Sequence, residues 1–423
     1  MFLARLLVLF SLVCISCAHS SFEQKQLKHA LNFATSNRLE LEILLQHYTY
    51  DSLKLEAAKF LIRNMPHCYS YQQGGEMDSV KRVRTYYSPF GQIDQTYARR
   101  WGHYTYRNLP KIYDAHIITA EYLIDNIDRA FDNWQKRPWN RSLSFEDFCE
   151  YLLPYRIGDE PLEEWRELYE KKYGYLLDSI YKGSDVVEAA NLVSRHLQEP
   201  VFIYCEDFEL PHIGPRYLFS HRYGSCVDAA DIVTYAFRAV GIPCMEDTDA
   251  RGGHVWNVVR DTTESDVPIW YIASEAVRGS RDTGGYKRGK VYRPMYGFQE
   301  EKAAHLGDDW KSMPLLFYHP YMKDVSYAYY PDTLRILTGI PDDEVCYLAH
   351  FHEAHWWSCA CARSASGKME IPNLESELVY LPMKYTKGNY YPSGFPFWFA
   401  GGEINTFLPD WEKTVKVRLY RKY

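Results

Sequence analysis

The sequence predicts an α+β protein of several domains: a helical N-terminal region, a central α+β domain and a C-terminal antiparallel β-sandwich. Three observations carry this. Apolar residues recur at helical spacing from Phe22 to about Pro66, and helical character resumes at Pro110 to Arg137, Trp165 to Ile180 and Ser184 to Leu197. An apolar helix-like run ending at Val240, the turn Gly241-Ile-Pro-Cys244 and an alternating segment opening at His254 occupy the middle. After Pro320, short alternating runs separated by Gly, Pro and Asn take over. At 423 residues the chain exceeds one usual domain, so two or three are expected. The boundaries read as a leader at 1–17, a helical region at 22–180, the central domain at 181–310 and the sandwich at 320–423.

Met1 to Arg5 carries one positive charge, and Leu6 to Val13 is a short apolar core. This is the layout of an export signal, too brief for a stable membrane span. Cys14-Ile-Ser-Cys17 follows. A small residue directly before a cysteine at the end of an apolar stretch resembles the bacterial lipoprotein signal. The resemblance implies that Cys17 becomes the lipid-bearing first residue of a periplasmic or cell-surface protein anchored at the outer membrane; Cys14 stands where that pattern has Leu. Ala18-His-Ser20 offers small-x-small cleavage and plain secretion instead. Either route leads out of the cytoplasm.

Leu27, Ala30, Leu31 and Ala34 form one helical stripe, Leu41, Leu44, Leu45 and Tyr48 a second, and Leu53, Ala57, Phe60, Leu61 and Met65 a third. Asn37 and Asp51 are the expected caps. Tyr69 to Arg107 is polar and carries Gly74-Gly75 and Pro89-Phe-Gly91, so it reads as a long connection. Helices are expected again at Trp165 to Ile180 and, behind the capping signal Ser184-Asp185 with Glu188, at Ser184 to Leu197. A net charge of −7 and the lack of a long basic run argue against nucleic acid as a partner. The 37 tyrosines and 11 tryptophans fill cores and sheet faces, or line a carbohydrate or peptide groove. The cysteines show no spacing of a disulfide framework.

In Arg222-Tyr-Gly-Ser-Cys226, Gly224 supplies a tight turn and Ser225 an N-cap, which puts Cys226 in the first turn of a helix. Exposed amides and the helix dipole there favour a thiolate. A helix opening on a cysteine, then Gly-Ile-Pro, then a strand beginning His254-Val-Trp256-Asn257 resembles the transglutaminase-like superfamily of papain-like cysteine enzymes. The resemblance implies a nucleophile at Cys226, a base at His254 and a third member on the next strand. With Thr262 to Pro268 as the hairpin connection, the residue across from His254 falls near Ser274, where the family pattern has Asp. Glu275, one position on, points to the opposite face of a regular strand. Asp261 and Asp266 lie nearer the turn. Trp256 walls the site or fills the core. Phe148-Cys-Glu-Tyr-Leu-Leu-Pro-Tyr-Arg156, with Glu160-Pro-Leu-Glu-Glu-Trp165, resembles exported bacterial lipoproteins that carry such a domain behind a helical region. The implied activity is thiol-dependent hydrolysis of a peptide or protein amide, with no cofactor or metal. The alternatives are a catalytically inactive scaffold of the same fold, or a surface lipoprotein binding glycan or peptide through the aromatic C-terminal domain.

Arg281 to Gln299 is basic and Gly-rich, a solvated loop or a set of charges for an acidic substrate group. Strands are expected at Val325 to Tyr330, Val345 to His352, His355 to Ala362, Glu377 to Tyr385, Phe395 to Ala400 and Thr414 to Tyr420. His350-Phe-His352-Glu-Ala-His355 reads as a polar hairpin tip, because no standard zinc spacing fits it.

Overall fold

The computed structural model describes residues 21–87, 106–199, 201–204, 210–251, 253–272, 274–280, 287–299, 313–337, 341–352, 355–408, 410, 412 and 413. The leader with Cys14 and Cys17, the Ala18-His-Ser20 cleavage alternative and the strand expected at Thr414 to Tyr420 lie outside the described residues. The chain divides into two compact units. Unit 1 comprises Met1–Asp247, His254–Ser280 and Pro294–Phe298; unit 2 comprises Thr248–Gly253, Arg281–Arg293 and Gln299–Tyr423. The described chain is α+β, with its helices concentrated in unit 1 and a β-rich C-terminal part.

In unit 1, α1 (residues 21–33), α2 (Arg38–His47) and α3 (Ser52–Asn64) occupy the three apolar stripes. Asp51 caps α3 by accepting from the Lys54 N–H. Asn37 does not cap α2. Its Nδ2 donates to the carbonyls of Ala115 and Ile118 at 3.1 and 2.8 Å, satisfying a turn far along the chain that no local pattern announces. The expected connection at Tyr69 to Arg107 holds β1 (Tyr69–Tyr71) and α4 (Glu76–Tyr87), and β1 pairs antiparallel with β2 (Lys111–Tyr113). Then come α5 (Ala120–Lys136), α6 (Phe145–Tyr151), α7 (Arg166–Tyr175) and α8 (Val186–His196). Asp185 caps α8, accepting from the N–H groups of Val187 and Glu188. One apolar core gathers Leu41, Leu61, Leu123, Phe131 and Phe148; another gathers Tyr169, Val193, Ile232 and Phe237.

A short parallel pair, β3 (Ile203–Tyr204) and β4 (Tyr223–Gly224), is followed by the helix that organises the second core. With α9 at Pro215–Ser220, that helix is α10 (Cys226–Val240). Every residue from Asp228 to Val240 is buried, and the polar side chains among them find partners inside: Asp231 with His212, Thr234 with Glu246, and Arg238 with the carbonyls of Tyr151 and Cys244. It ends at Gly241 with φ +84°, where an added Cβ would stand 2.7 Å from the Asn133 carbonyl oxygen. The Gly-Ile-Pro turn leads into β5 (Cys244–Asp249), and β6 (Val255–Val259) pairs antiparallel with β7 (Val267–Ile269).

In unit 2, Thr248 and Asp249 pair antiparallel with Tyr292 and Val291 of β8 (Val291–Pro294), which β9 (Met322–Asp324) flanks. The strand expected at Val325 to Tyr330 is a 3-10 turn over Ser326–Ala328, because the Ser326 hydroxyl accepts from the Val291 N–H and donates to the Val291 carbonyl. β10 (Asp332–Leu337), β11 (Val345–His352), β12 (His355–Arg363), β13 (Lys368–Leu374), β14 (Leu378–Thr386), β15 (Asn389–Pro392), β16 (Phe397–Ala400) and β17 (Glu403–Thr406) complete it. A six-stranded antiparallel sheet runs β12-β11-β14-β16-β17, with β15 on β14, and β10 pairs separately with β13. The two sheets share a core of Leu334, Leu348, Ile371, Tyr380 and Phe399.

The basic stretch is not a solvated loop where it is described: Arg288, Lys290 and Arg293 are buried. The Glu375 carboxylate accepts from the backbone N–H groups of Arg288 and Gly289, and Lys290 pairs with Asp324 inside unit 2. His350 is likewise not at a hairpin tip. It sits fully buried on the sheet face with Leu348 and Tyr380, and burial pushes its imidazole down to about 4. Among the described residues, no group of three or more His, Cys, Asp or Glu converges as metal ligands would. No described helix is long and apolar enough to cross a membrane.

Candidate functional site

Cys226 is the first residue of α10. Ser225 caps the helix by accepting from the Val227 N–H at 3.2 Å, while the Asp228 carboxylate reaches back to the Ser225 N–H at 2.7 Å. That return of Asp228 is what demands glycine before the cap: at φ +154°, a Cβ on Gly224 would stand 2.2 Å from Asp228 Oδ2. The cap takes up amides of the first turn, leaving the Cys226 side chain partly exposed at the helix tip.

Asn257 sets where His254 falls. Its buried Nδ2 donates to the Ala230 carbonyl at 3.0 Å and to Thr234 Oγ1 at 2.9 Å, clamping β6 to the second turn of α10. Three residues of strand before Asn257 cover roughly 10 Å, and four residues of helix before Ala230 about 6 Å. Both paths reach one shallow pocket whose lining includes Cys226, His254, Trp256, Trp270, Tyr271 and Tyr204. The His254 ring stacks on Trp256 at 5.8 Å and lies 5.6 Å from Tyr271. Trp256 is buried and packs on Trp270 at 5.2 Å, so it serves as wall and core at once. These two rings bound the imidazole by aromatic contact.

The expected third member is not in this pocket. The register Asn257↔Ile269 and Val259↔Val267, continued, brings Ile272 and not Ser274 opposite His254, and β7 ends before either. The hairpin turn occupies residues 260–266, so it opens earlier in the chain than the connection expected at Thr262 to Pro268, and the partner of His254 moves towards the N-terminus with it. Ser274 closes a local turn, its Oγ donating to the Tyr271 carbonyl at 2.9 Å and accepting from the Tyr271 N–H at 3.2 Å. Glu275 pairs with Arg195 at 3.2 Å on the surface. Asp261 holds Arg278, and Asp266 holds Arg260 and the Tyr151 hydroxyl. None of these four lines the pocket.

Sequence reasoning missed Tyr204, which enters through the β3–β4 pairing, and a buried polar cluster along α10 that reaches the pocket-lining Asn257 through Thr234. His212 Nδ1 lies 2.9 Å from the fully buried Asp231, and Thr234 donates to Glu246 Oε1 at 2.7 Å. Asp228, Asp231, Thr234 and Arg238, spaced along one face of a largely apolar helix, were the available signal. Burial works against the charge on His212, but Asp231 outweighs it and holds the imidazolium well above its usual range. Burial, with Asp231 adding to it, pushes the Glu246 carboxyl up to about 8. A carboxyl raised in the folded state keeps a proton that the unfolded chain loses near 4.5, so folding is progressively opposed as pH climbs from there towards 8. Glu246→Gln keeps the oxygen that Thr234 reaches and is expected to raise the urea midpoint at pH 8 while leaving it unchanged at pH 4. An equal shift at both pH values would mean that Glu246 titrates normally.

No family model, curated protein or solved structure matches this chain, so its reading rests on the pocket itself.

Proposed function

We propose that the chain is an exported transglutaminase-like cysteine enzyme that hydrolyses an amide bond of a peptide or protein, with Cys226 as nucleophile and His254 as general acid and base. In this reading the C-terminal part is a β-sandwich, and Cys17 carries the lipid anchor. The observation that supports it most is a partly exposed cysteine at a capped helix tip opening on the same pocket as a histidine. Having passed its proton to His254, the Cys226 sulfur attacks the carbonyl carbon, a sulfur–carbon bond forms and the carbonyl π pair moves to oxygen. The oxygen meets the Cys226 amide at the helix N-terminus. Collapse breaks the carbon–nitrogen bond, His254 gives the departing amine its proton, and a thioester remains. Water, deprotonated by His254, then releases the acid and restores the thiol. A non-catalytic scaffold is the second reading, favoured by the surface pairing of Glu275 and the local turn of Ser274.

Thiol labelling separates the two. Cys226 and Cys361 are both partly exposed, whereas Cys68, Cys149, Cys244, Cys346 and Cys359 are buried. Limiting iodoacetamide near neutral pH, followed by peptide mapping, is expected to modify Cys226 well ahead of Cys361. Acyl transfer from 4-nitrophenyl acetate to the protein is expected to vanish in Cys226→Ser. Equal labelling of the two cysteines, with acylation surviving the substitution, would leave only the scaffold.

A further inference from the structure

We infer that Tyr204 is a catalytic residue of this pocket, its hydroxyl donating the second hydrogen bond to the oxyanion formed at Cys226; the inference rests on the acyl-transfer reading above. Two placements converge on it. The parallel pairing of β3 with β4 sets Tyr204 opposite Gly224, two residues before Cys226, so its position is fixed by backbone and not by a loose side-chain contact. The Tyr204 side chain lines the same pocket as Cys226 and His254, and at 45 % exposure it stands at the rim where an incoming carbonyl would pass. Its phenol O–H carries a proton that can be given to an acceptor in the pocket.

That proton stays in place at neutral pH, because burial and negative charge on Cys226 both push the phenol above its usual range. Tyr271 is less suited to this role, since its ring lies against the His254 imidazole. As sulfur bonds to the carbonyl carbon and the π pair settles on oxygen, the Tyr204 O–H and the Cys226 N–H hold that oxygen together without transferring a proton. When the intermediate collapses, the pair returns to the carbonyl and both hydrogen bonds slacken. A pair of fixed donors of this kind acts only on the charged oxygen, so its effect is on the acyl step and not on the thiol.

The test compares two reactions of Cys226 in the full chain. Acylation by 4-nitrophenyl acetate passes through an oxyanion; alkylation by iodoacetamide displaces iodide and does not. Tyr204→Phe is expected to slow acylation about 10- to 100-fold, the lower reach of what a preorganised donor supplies, given the partial exposure of this one. Alkylation should keep its rate and its dependence on pH. Unchanged acylation in Tyr204→Phe would overturn the assignment, as would a parallel loss in both reactions, which would mean that Tyr204 acts by tuning the sulfur. Should the wild-type Cys226 neither acylate nor alkylate selectively, the acyl-transfer reading itself falls and takes this one with it.

Discussion

Arg156→Leu is expected to cost about 3–5 kcal/mol of folding stability, because it strands two buried carboxylates. The Arg156 guanidinium donates to Asp114 at 2.6 and 2.5 Å through Nε and an NH2 group, and it lies 3.6 Å from the Glu160 carboxylate. Its remaining NH2 group donates to the Glu160 carbonyl. Asp114 also accepts from the Tyr155 hydroxyl at 2.9 Å, and Glu160 accepts from the Ile157 and Gly158 N–H groups, each at 2.7 Å. All three charged side chains are almost fully buried. Burial alone would raise the Glu160 carboxyl; Arg156, with His212, overrides it and brings the carboxyl below its usual value. A carboxyl lowered in the folded state contributes stability that is present above the unfolded value and lost as pH falls through the folded one. Without Arg156 that sign reverses, so the gap between wild type and variant should narrow as pH is taken from 7 towards 4. Urea unfolding across that range checks both the size and the trend. A loss under about 1 kcal/mol at pH 7 would mean that water or another cation already compensates the carboxylates. Arg156→Lys, which keeps the charge but not the planar fork, should fall between the two.

His254→Ala is expected to slow amide turnover at least about 100-fold and to shift the pH dependence of Cys226 alkylation. Two effects combine. An ordinary thiol is only about 1 % ionised two pH units below its midpoint, so loss of the imidazolium partner removes most of the thiolate at about pH 6.5. The thiolate that remains is more nucleophilic, by roughly tenfold over a two-unit change, so alkylation itself should fall only about 10-fold. Amide turnover suffers more, because the departing amine also loses its proton donor, a contribution of about 10²–10⁴. Measuring both rates from pH 5 to 9 tests the pair. If alkylation in His254→Ala keeps the wild-type profile, the ring in the pocket is packing and not chemistry.

The phrase running from Phe148 to Trp165 shows why a distinctive sequence is no guide to a reaction. Arg156 and Glu160 belong to the buried ion network. Trp165 donates through its indole to the Tyr155 carbonyl at 2.9 Å. Arg166, next in line, gives hydrogen bonds to the carbonyls of Leu152, Leu153 and Pro154 and to Asn126. These residues fasten the irregular segment that follows the helix Phe145–Tyr151 by taking up its free carbonyls. Their chemistry is structural.

Cys226 at a helix start was legible because capping is local: Gly224, Ser225 and Asp228 act within one turn, and the apolar run behind them announces a helix buried on every side. The strands Val345–His352 and His355–Arg363 were legible for a like reason, alternation being a property of neighbours in the chain. What surrounds the sulfur was decided only by the fold. A hairpin turn that opens earlier than its residues suggest removed Ser274 from the pocket, and a single pairing of β3 with β4 brought in Tyr204. Register and long-range pairing depend on how whole faces are buried, and His350 makes the same point: nothing in its neighbours says that a histidine between two aromatic-rich strands lies beneath a sheet rather than at its tip.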